Sequence, residues 1–245
     1  HFLELKWAYG CPFNCAWCYL KGTFRFLETK TKQVFKDRKK VRLHTEAFLD
    51  ITYPKEVLNT GEIADSLMGE KGKNPFSTFI IPLFEKQDRH KVLFLTKSDN
   101  VKHLLEIEKH KLAIISFSLN TQENAERWEI GAPPVVKRIE AAKAVSDAGY
   151  ETRIRIDPMI PFPKSKWEEN YKELIDQIFS KFTPERITIG SLRGLQSTIN
   201  GATDRSWVEF FGEKSDWGKK IKDNLRCSTN SHVINYLKEE YNYTN

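Results

Sequence analysis

Six β-rich runs separated by helical segments constrain this chain more than any other feature of its sequence. The runs are Phe2 to Ala8, a short apolar run through Glu56 to Leu58 ending at Asn59-Thr60-Gly61-Glu62, Lys91 to Thr96, Leu112 to Leu119, Thr152 to Asp157 and Arg186 to Ser191. Between them, 75–86, 100–108, 133–148 and 166–182 carry apolar residues at three-to-four spacing, the signature of amphipathic helices. Pro133-Pro134 supplies a start signal for one of these, and Gly149 supplies its stop. Strands joined through helices pair in parallel with right-handed crossovers, which predicts an α/β wound sheet or an open or closed barrel. In such folds ligands collect at the C-terminal ends of the strands. From 205 to 245 the pattern reads as a helical appendage, with Val233, Ile234 and Leu237 on one face. At 245 residues the chain is about one domain, the sheet-forming part being 1–200 and the extension 201–245.

Composition narrows the class. A chain that is 40% hydrophobic and 29% charged, with 12 Gly and 10 Pro in no periodic arrangement, is neither disordered nor collagen-like. No apolar run approaches the ~20 residues that a membrane span requires, and the longest, around Phe79 to Phe84, is broken by Pro82. The opening residues His1 to Gly10 lack the apolar block of a signal peptide, so a cytoplasmic location is expected, although the sequence begins without Met. The formal charge is +6, and seven Lys or Arg residues fall between Lys30 and Arg42. That stretch reads as a solvated face or, in the sharper reading, as a contact for nucleic-acid phosphates.

Four cysteines are too few for a disulfide-stapled domain of this size, and three of them, Cys11, Cys15 and Cys18, crowd into eight residues. Their spacing, C-x-x-x-C-x-x-C, points to a metal site in a reducing compartment. Three thiolates on one loop can hold three irons of a cubane cluster and leave the fourth iron open to chemistry. A structural zinc would want a fourth ligand at short spacing, whereas the nearest histidine is His44 and Cys227 is remote. On the fifth run Arg153, Arg155 and Asp157 share one face. Asp157 falls at its C-terminal end, and Arg193 follows the sixth run in the same way. These charges fit a polar or anionic substrate, or an internal salt-bridge cluster.

The cysteine motif on the loop after the first strand resembles the radical S-adenosylmethionine superfamily. The rest of the chain, from Gly10 to about Ser191, is similar more specifically to the spore photoproduct lyase family. The resemblance is carried by CAWCYL (Cys15 to Leu20), NTGEIADSL (Asn59 to Leu67), FLTKSDNVKHLL (Phe94 to Leu105), FSLN (Phe117 to Asn120), WEIGAPPVVKRIEAA (Trp128 to Ala142) and AGY (Ala148 to Tyr150). It implies a partial (β/α)6 barrel with a 4Fe–4S cluster on Cys11, Cys15 and Cys18 at its mouth. It further implies S-adenosylmethionine as cofactor, reductive cleavage to a 5′-deoxyadenosyl radical, and an electron donor such as flavodoxin or ferredoxin. The protein's own part is to bind, orient and shield.

By position, the resemblance implies that Asn59, Gly61 and Glu62 meet the amino end of the cofactor's methionine and that Lys97 pairs with its carboxylate. It places Ser118 and Asn120 at the ribose and carboxylate, and Trp17 at the adenine. Each has a plainer alternative: a helix-start charge for Glu62, a surface lysine for Lys97, turn formers for Ser118 and Asn120, core packing for Trp17. In the lyases of the family a cysteine after the second strand returns hydrogen to the product radical, and alignment places Asn59 there, which cannot do so. Trp17 replaces a tyrosine and Tyr19 is kept. Tyr19 and Cys227 are therefore the expected hydrogen-handling residues. The substrate implied is a DNA photolesion or modified nucleotide. The alternatives are an RNA base, a peptide or a small metabolite, and, in a different class, a non-catalytic cluster protein that binds nucleic acid.

Overall fold

The computed structural model describes residues 3–24, 33–51, 54–215 and 218–245. Its centre is a curled, six-stranded, all-parallel sheet: β1 (Leu3–Glu4), β2 (Val57–Asn59), β3 (Lys91–Thr96), β4 (Ala113–Leu119), β5 (Glu151–Met159) and β6 (Arg186–Ser191), neighbours in sequence order. The outer helices are α1 (Arg38–Leu49), α2 (Phe76–Phe84), α3 (Val135–Asp147), α4 (Trp167–Phe179) and α5 (Asp223–Tyr241). This is a partial (β/α)6 barrel. β4 is buried at all seven positions, as befits a central parallel strand covered on both faces.

Local sequence explains most element ends. Pro134 precedes the first turn of α3, and Gly149 follows it at φ 91°, a backbone state in which glycine carries no penalty. α1 opens where the Asp37 carboxylate accepts from the Lys39 amide. It buries Val41, Thr45 and Phe48. This helix was not foreseen, because its apolar positions are sparse among the basic ones. Its Arg38 and Arg42 lie over the Phe79 ring at 4.6 and 5.2 Å, so part of the Lys30 to Arg42 stretch packs on α2. Lys30 and Lys32 lie outside the described residues.

Three expectations change. The first run is not one strand: Leu3–Glu4 joins the sheet, while Ala8–Tyr9 turns away to pair with Val34–Phe35. The 100–108 helix is a single turn, Lys102–Leu105. The 205–245 region is not wholly helical, because Phe211–Ser215 and Gly218–Ile221 form a hairpin joined by Arg193–Gly194 before α5 begins. On α5, Val233 and Leu237 are buried and Ile234 is exposed, one 100° step off their face.

The core has two parts. The larger lies between sheet and helices, built on Ile80, Phe84, Phe94, Phe117, Ile156 and Ile175. The smaller packs Cys15, Ala16, Trp17, Trp128, Trp207 and Phe210 beneath the cysteine loop. Among the described residues no helix is long and apolar enough to cross a membrane.

Candidate active site

The cysteine loop is anchored at several points. Gly10, at φ 87°, donates its amide to the Ile63 carbonyl and makes a parallel bridge to Ala64. Asn14–Cys15 pairs antiparallel with Glu129–Ile130, opposing Cys15 to Glu129. The Ala16 amide donates to the Trp128 carbonyl at 2.7 Å. The loop is thereby laid across the C-terminal ends of the strands.

There it walls a cavity of about 660 Å³ whose lining includes Cys11, Cys15, Cys18, Lys97, Ser118 and Arg155. Burial pushes the Cys15 thiol up to about 12, against the pull of Lys97. It raises Cys11 and Cys18 too, Cys11 helped by the charge of Asp65. Buried thiols of this kind ionise when a cation compensates them, as in metal ligation. Among the described residues no three His, Cys, Asp or Glu side chains form a group that could hold one metal ion. A cubane takes one thiolate on each of three irons, and Cys11, Cys15 and Cys18 all line this one cavity.

Lys97 enters the cavity from the end of β3. Its Nζ donates to Ser118 Oγ at 2.8 Å and lies 3.6 Å from Glu129 Oε1. Burial alone would lower Lys97, but the Glu129 carboxylate and the neighbouring Cys15 outweigh it and hold the ammonium above its usual range. The turn carrying Lys97 hangs on Asp65. One oxygen of this buried carboxylate accepts from the Leu67 amide (3.0 Å) and Thr96 Oγ1 (2.7 Å), and the other accepts from the Lys97 amide (2.8 Å). Burial raises the Asp65 carboxyl while those three donors pull it down.

Gly61 and Glu62 line the cavity beneath the loop. A Cβ on Gly61 would lie 2.7 Å from Leu95 Cβ and 2.8 Å from the Leu95 carbonyl oxygen, so only glycine fits. The Tyr19 hydroxyl donates to the Glu62 carbonyl and reaches Glu62 Oε1 at 3.2 Å. Burial, then the Glu62 charge, raises the phenol well above its ordinary range, so it stays protonated. Trp17 lines the cavity with its ring 5.6 Å from Trp128. Arg155, also in the lining, is paired with Asp157 at 2.6 Å, in room left by Gly190, whose Cβ would strike Asp157 at 2.4 Å. Arg193 lines the same cavity, whereas Arg153 is turned to Glu151 and Glu185.

Besides Arg153, three of the residues singled out in the sequence do not reach the cavity wall. Asn59 accepts from the Gly61 amide at 2.9 Å and donates to Glu62 Oε2 at 3.4 Å, shaping the turn rather than lining the site. Asn120 is fully buried. It donates to the Pro158 carbonyl at 2.9 Å and accepts from the Thr121 amide and Asn124 Nδ2, tying the amide into the interior and not into the cavity lining. Cys227 sits exposed on α5. Glu129, Arg138 and Asp65 were passed over in the sequence. The available signal was charge within apolar context: Glu129 directly follows Trp128, and Arg138 lies among Val135, Val136 and Ile139.

Comparison with known proteins gives consistent matches. The family model described as spore photoproduct lyase matches residues 3–190. The spore photoproduct lyase of Bacillus subtilis (strain 168) is 25% identical over 177 residues, covering 71% of this chain and 50% of that protein. The chain thus spans about half the length of the curated relatives it matches. A mutant spore photoproduct lyase solved with dinucleoside spore photoproduct superposes with a TM-score of 0.79 at 17% identity, over 97% of this chain and 73% of that one. Streptococcus suis SuiB bound to S-adenosylmethionine superposes at 0.57 with 16% identity, over 98% and 48%. At those identities the structures speak for the fold.

Proposed function

The chain belongs to the spore photoproduct lyase family of radical S-adenosylmethionine proteins, and from that premise we propose that it is an enzyme whose 4Fe–4S cluster is held by Cys11, Cys15 and Cys18. The observation that carries this reading is the meeting of three thiols, Cys15 buried and Cys11 and Cys18 partly so, with the Lys97 ammonium and Ser118 on the wall of one cavity. When bound, the cluster and S-adenosylmethionine supply one-electron cleavage of a carbon–sulfur bond and a 5′-deoxyadenosyl radical that takes hydrogen from a substrate. Lys97 would receive the cofactor's carboxylate, with a charge-assisted hydrogen bond worth about 1.5–3 kcal/mol. The Gly61-Glu62 segment would accept from its amino group, and Trp17 would face its adenine. The apolar wall of Phe13, Leu20, Leu95 and Leu195 would keep water from the reacting carbon. Residues 1–200 would carry this machinery and 201–245 would extend the same domain.

For the substrate, the family and the +6 charge support a nucleic-acid photolesion or modified nucleotide, presented flipped or single-stranded. Arg155, Asp157 and Arg193 would meet it. A specific observation favours a second reading, a different radical reaction on another nucleotide, a peptide or a metabolite: Asn59 cannot return hydrogen, and Cys227 is outside the cavity. The Tyr19 hydroxyl is a group on the wall that could give up a hydrogen. Reduced protein, reconstituted with iron and sulfide and given a flavodoxin or ferredoxin, is incubated with deuterated spore photoproduct dinucleotide. Repair to thymine above a Cys15→Ala control supports the lesion reading. Release of 5′-deoxyadenosine without repair supports the second, and release of neither refutes both.

A further inference from the structure

Behind Lys97 lies a buried charge cluster with one unfilled acceptor. Glu129 and Arg138 have side chains 0% and 1% exposed, joined by Arg138 Nη1 donating to Glu129 Oε2 at 2.6 Å. Arg138 is itself fixed, donating through Nε to the Pro133 carbonyl at 2.8 Å and through Nη1 to the Ser118 carbonyl at 3.0 Å. Among the described residues Glu129 Oε1 accepts no hydrogen bond, and it faces Lys97 Nζ at 3.6 Å. A carboxylate oxygen left this way in a dry interior is a fixed point of negative potential, and the ammonium is the cation it acts on. The group holds two positive charges and one negative. Of the three residues, only Lys97 lines the cavity.

The backbone of Glu129 does something else. Residue 129 is the ladder partner of Cys15, so a single residue is tied through its main chain to the cysteine loop and through its side chain to the ammonium. We infer that Glu129 is a positioning residue, which holds the Lys97 ammonium in register with Cys15 so that a carboxylate-bearing ligand can bridge from loop to lysine. Ser118 supplies the second fixed direction, and the third N–H of the ammonium is then free for the ligand. The inference rests on the proposed binding of S-adenosylmethionine.

A double-mutant cycle read by cofactor affinity tests it. Glu129→Asp keeps the charge but is one methylene shorter, so it cannot serve Arg138 and Lys97 together. At full iron and sulfide content it should weaken S-adenosylmethionine binding about tenfold, as Lys97→Ala does, and add less than about twofold in the Lys97→Ala background. Unchanged affinity in Glu129→Asp, or a tenfold loss that persists without Lys97, overturns the role. If Glu129→Asp does not load the cluster, Glu129→Gln, which keeps the length and loses the charge, goes through the same cycle. A coupling between positions 129 and 97 of about fivefold or more supports the role; no coupling, or failure of both variants to load, makes Glu129 a support of the loop alone. A wild-type protein that loads its cluster yet binds no cofactor overturns the functional reading itself.

Discussion

Replacing Asp65 with Asn tests how the turn bearing Lys97 is held. The carboxylate accepts three hydrogen bonds, two on one oxygen from Leu67 and Thr96 and one on the other from the Lys97 amide. An amide has one acceptor end. With its oxygen toward Leu67 and Thr96, its NH2 faces the Lys97 N–H, and the opposite rotamer sets it against two donors. The favourable rotamer loses one charge-assisted bond, worth about 1.5–3 kcal/mol including the stranded donor. Against this, a neutral amide costs less to bury than a carboxylate, which is why burial raises the Asp65 carboxyl. Burial outweighs the three donors in the acid's own titration, but a protonated carboxyl can still accept from Lys97 on its hydroxyl oxygen whereas an amide NH2 sets donor against donor, so the bond loss decides for Asn, leaving a net destabilisation of about 2 kcal/mol and a melting midpoint lower by about 4–8 °C. Asp65→Ala, which strands all three donors, falls further. Thermal melts of the apoprotein followed by circular dichroism at neutral pH provide the assay. An Asn variant as stable as the parent, or more stable, would mean that the relief of desolvation outweighs the stranded Lys97 donor and refute the reasoning.

Two other predictions concern the floor and the acid limb of stability. Trp128 is fully buried beneath the cysteine loop and donates from its indole to Ser206 Oγ at 3.0 Å, so Trp128→Ala should cost about 3–5 kcal/mol. Calorimetry that shows an unmoved midpoint contradicts this. Burial pushes the Glu151 carboxyl up, but the hydrogen bond from Lys91 and the charge of Arg153 outweigh it and hold it below the usual range. In that window the unfolded state binds more protons, so this contribution is complete above the ordinary carboxylate pKa and is lost as pH falls through the folded value. Glu151→Gln should therefore flatten the acid side of the stability profile, and an unchanged acid slope removes Glu151 from it.

The sheet was legible because its strands are short, β-rich and bounded by turn formers. Lys91–Thr96 and Arg186–Ser191 occupy the stretches their composition marks. The cysteine loop was legible because thiol spacing is itself chemistry. What escaped depends on direction rather than composition. Ser118 and Asn120 look equivalent in sequence, but β4 ends at Leu119 and the chain turns toward the helix Gln122–Trp128. Strand alternation stops there, and the Asn120 side chain turns under the floor. Cys227 lies two residues before Thr229, which shares the buried face of α5 with Val233 and Leu237, and two residues rotate a helix by about 200°. The hairpin from Phe211 to Ile221 was hidden because its strands are largely Lys and Gly. The Glu129–Lys97 contact joins residues 32 positions apart, and no local pattern encodes it.

The central claim is that Cys11, Cys15 and Cys18 hold one cubane with an iron left open to a ligand in the cavity. Mössbauer spectra of anaerobically reconstituted protein, recorded with and without S-adenosylmethionine, test it most directly. About four irons per chain are expected, with one in four changing its isomer shift when the cofactor is added, and loss of the cluster in Cys15→Ala. Stoichiometric zinc without iron, or four irons none of which responds to S-adenosylmethionine, would contradict it.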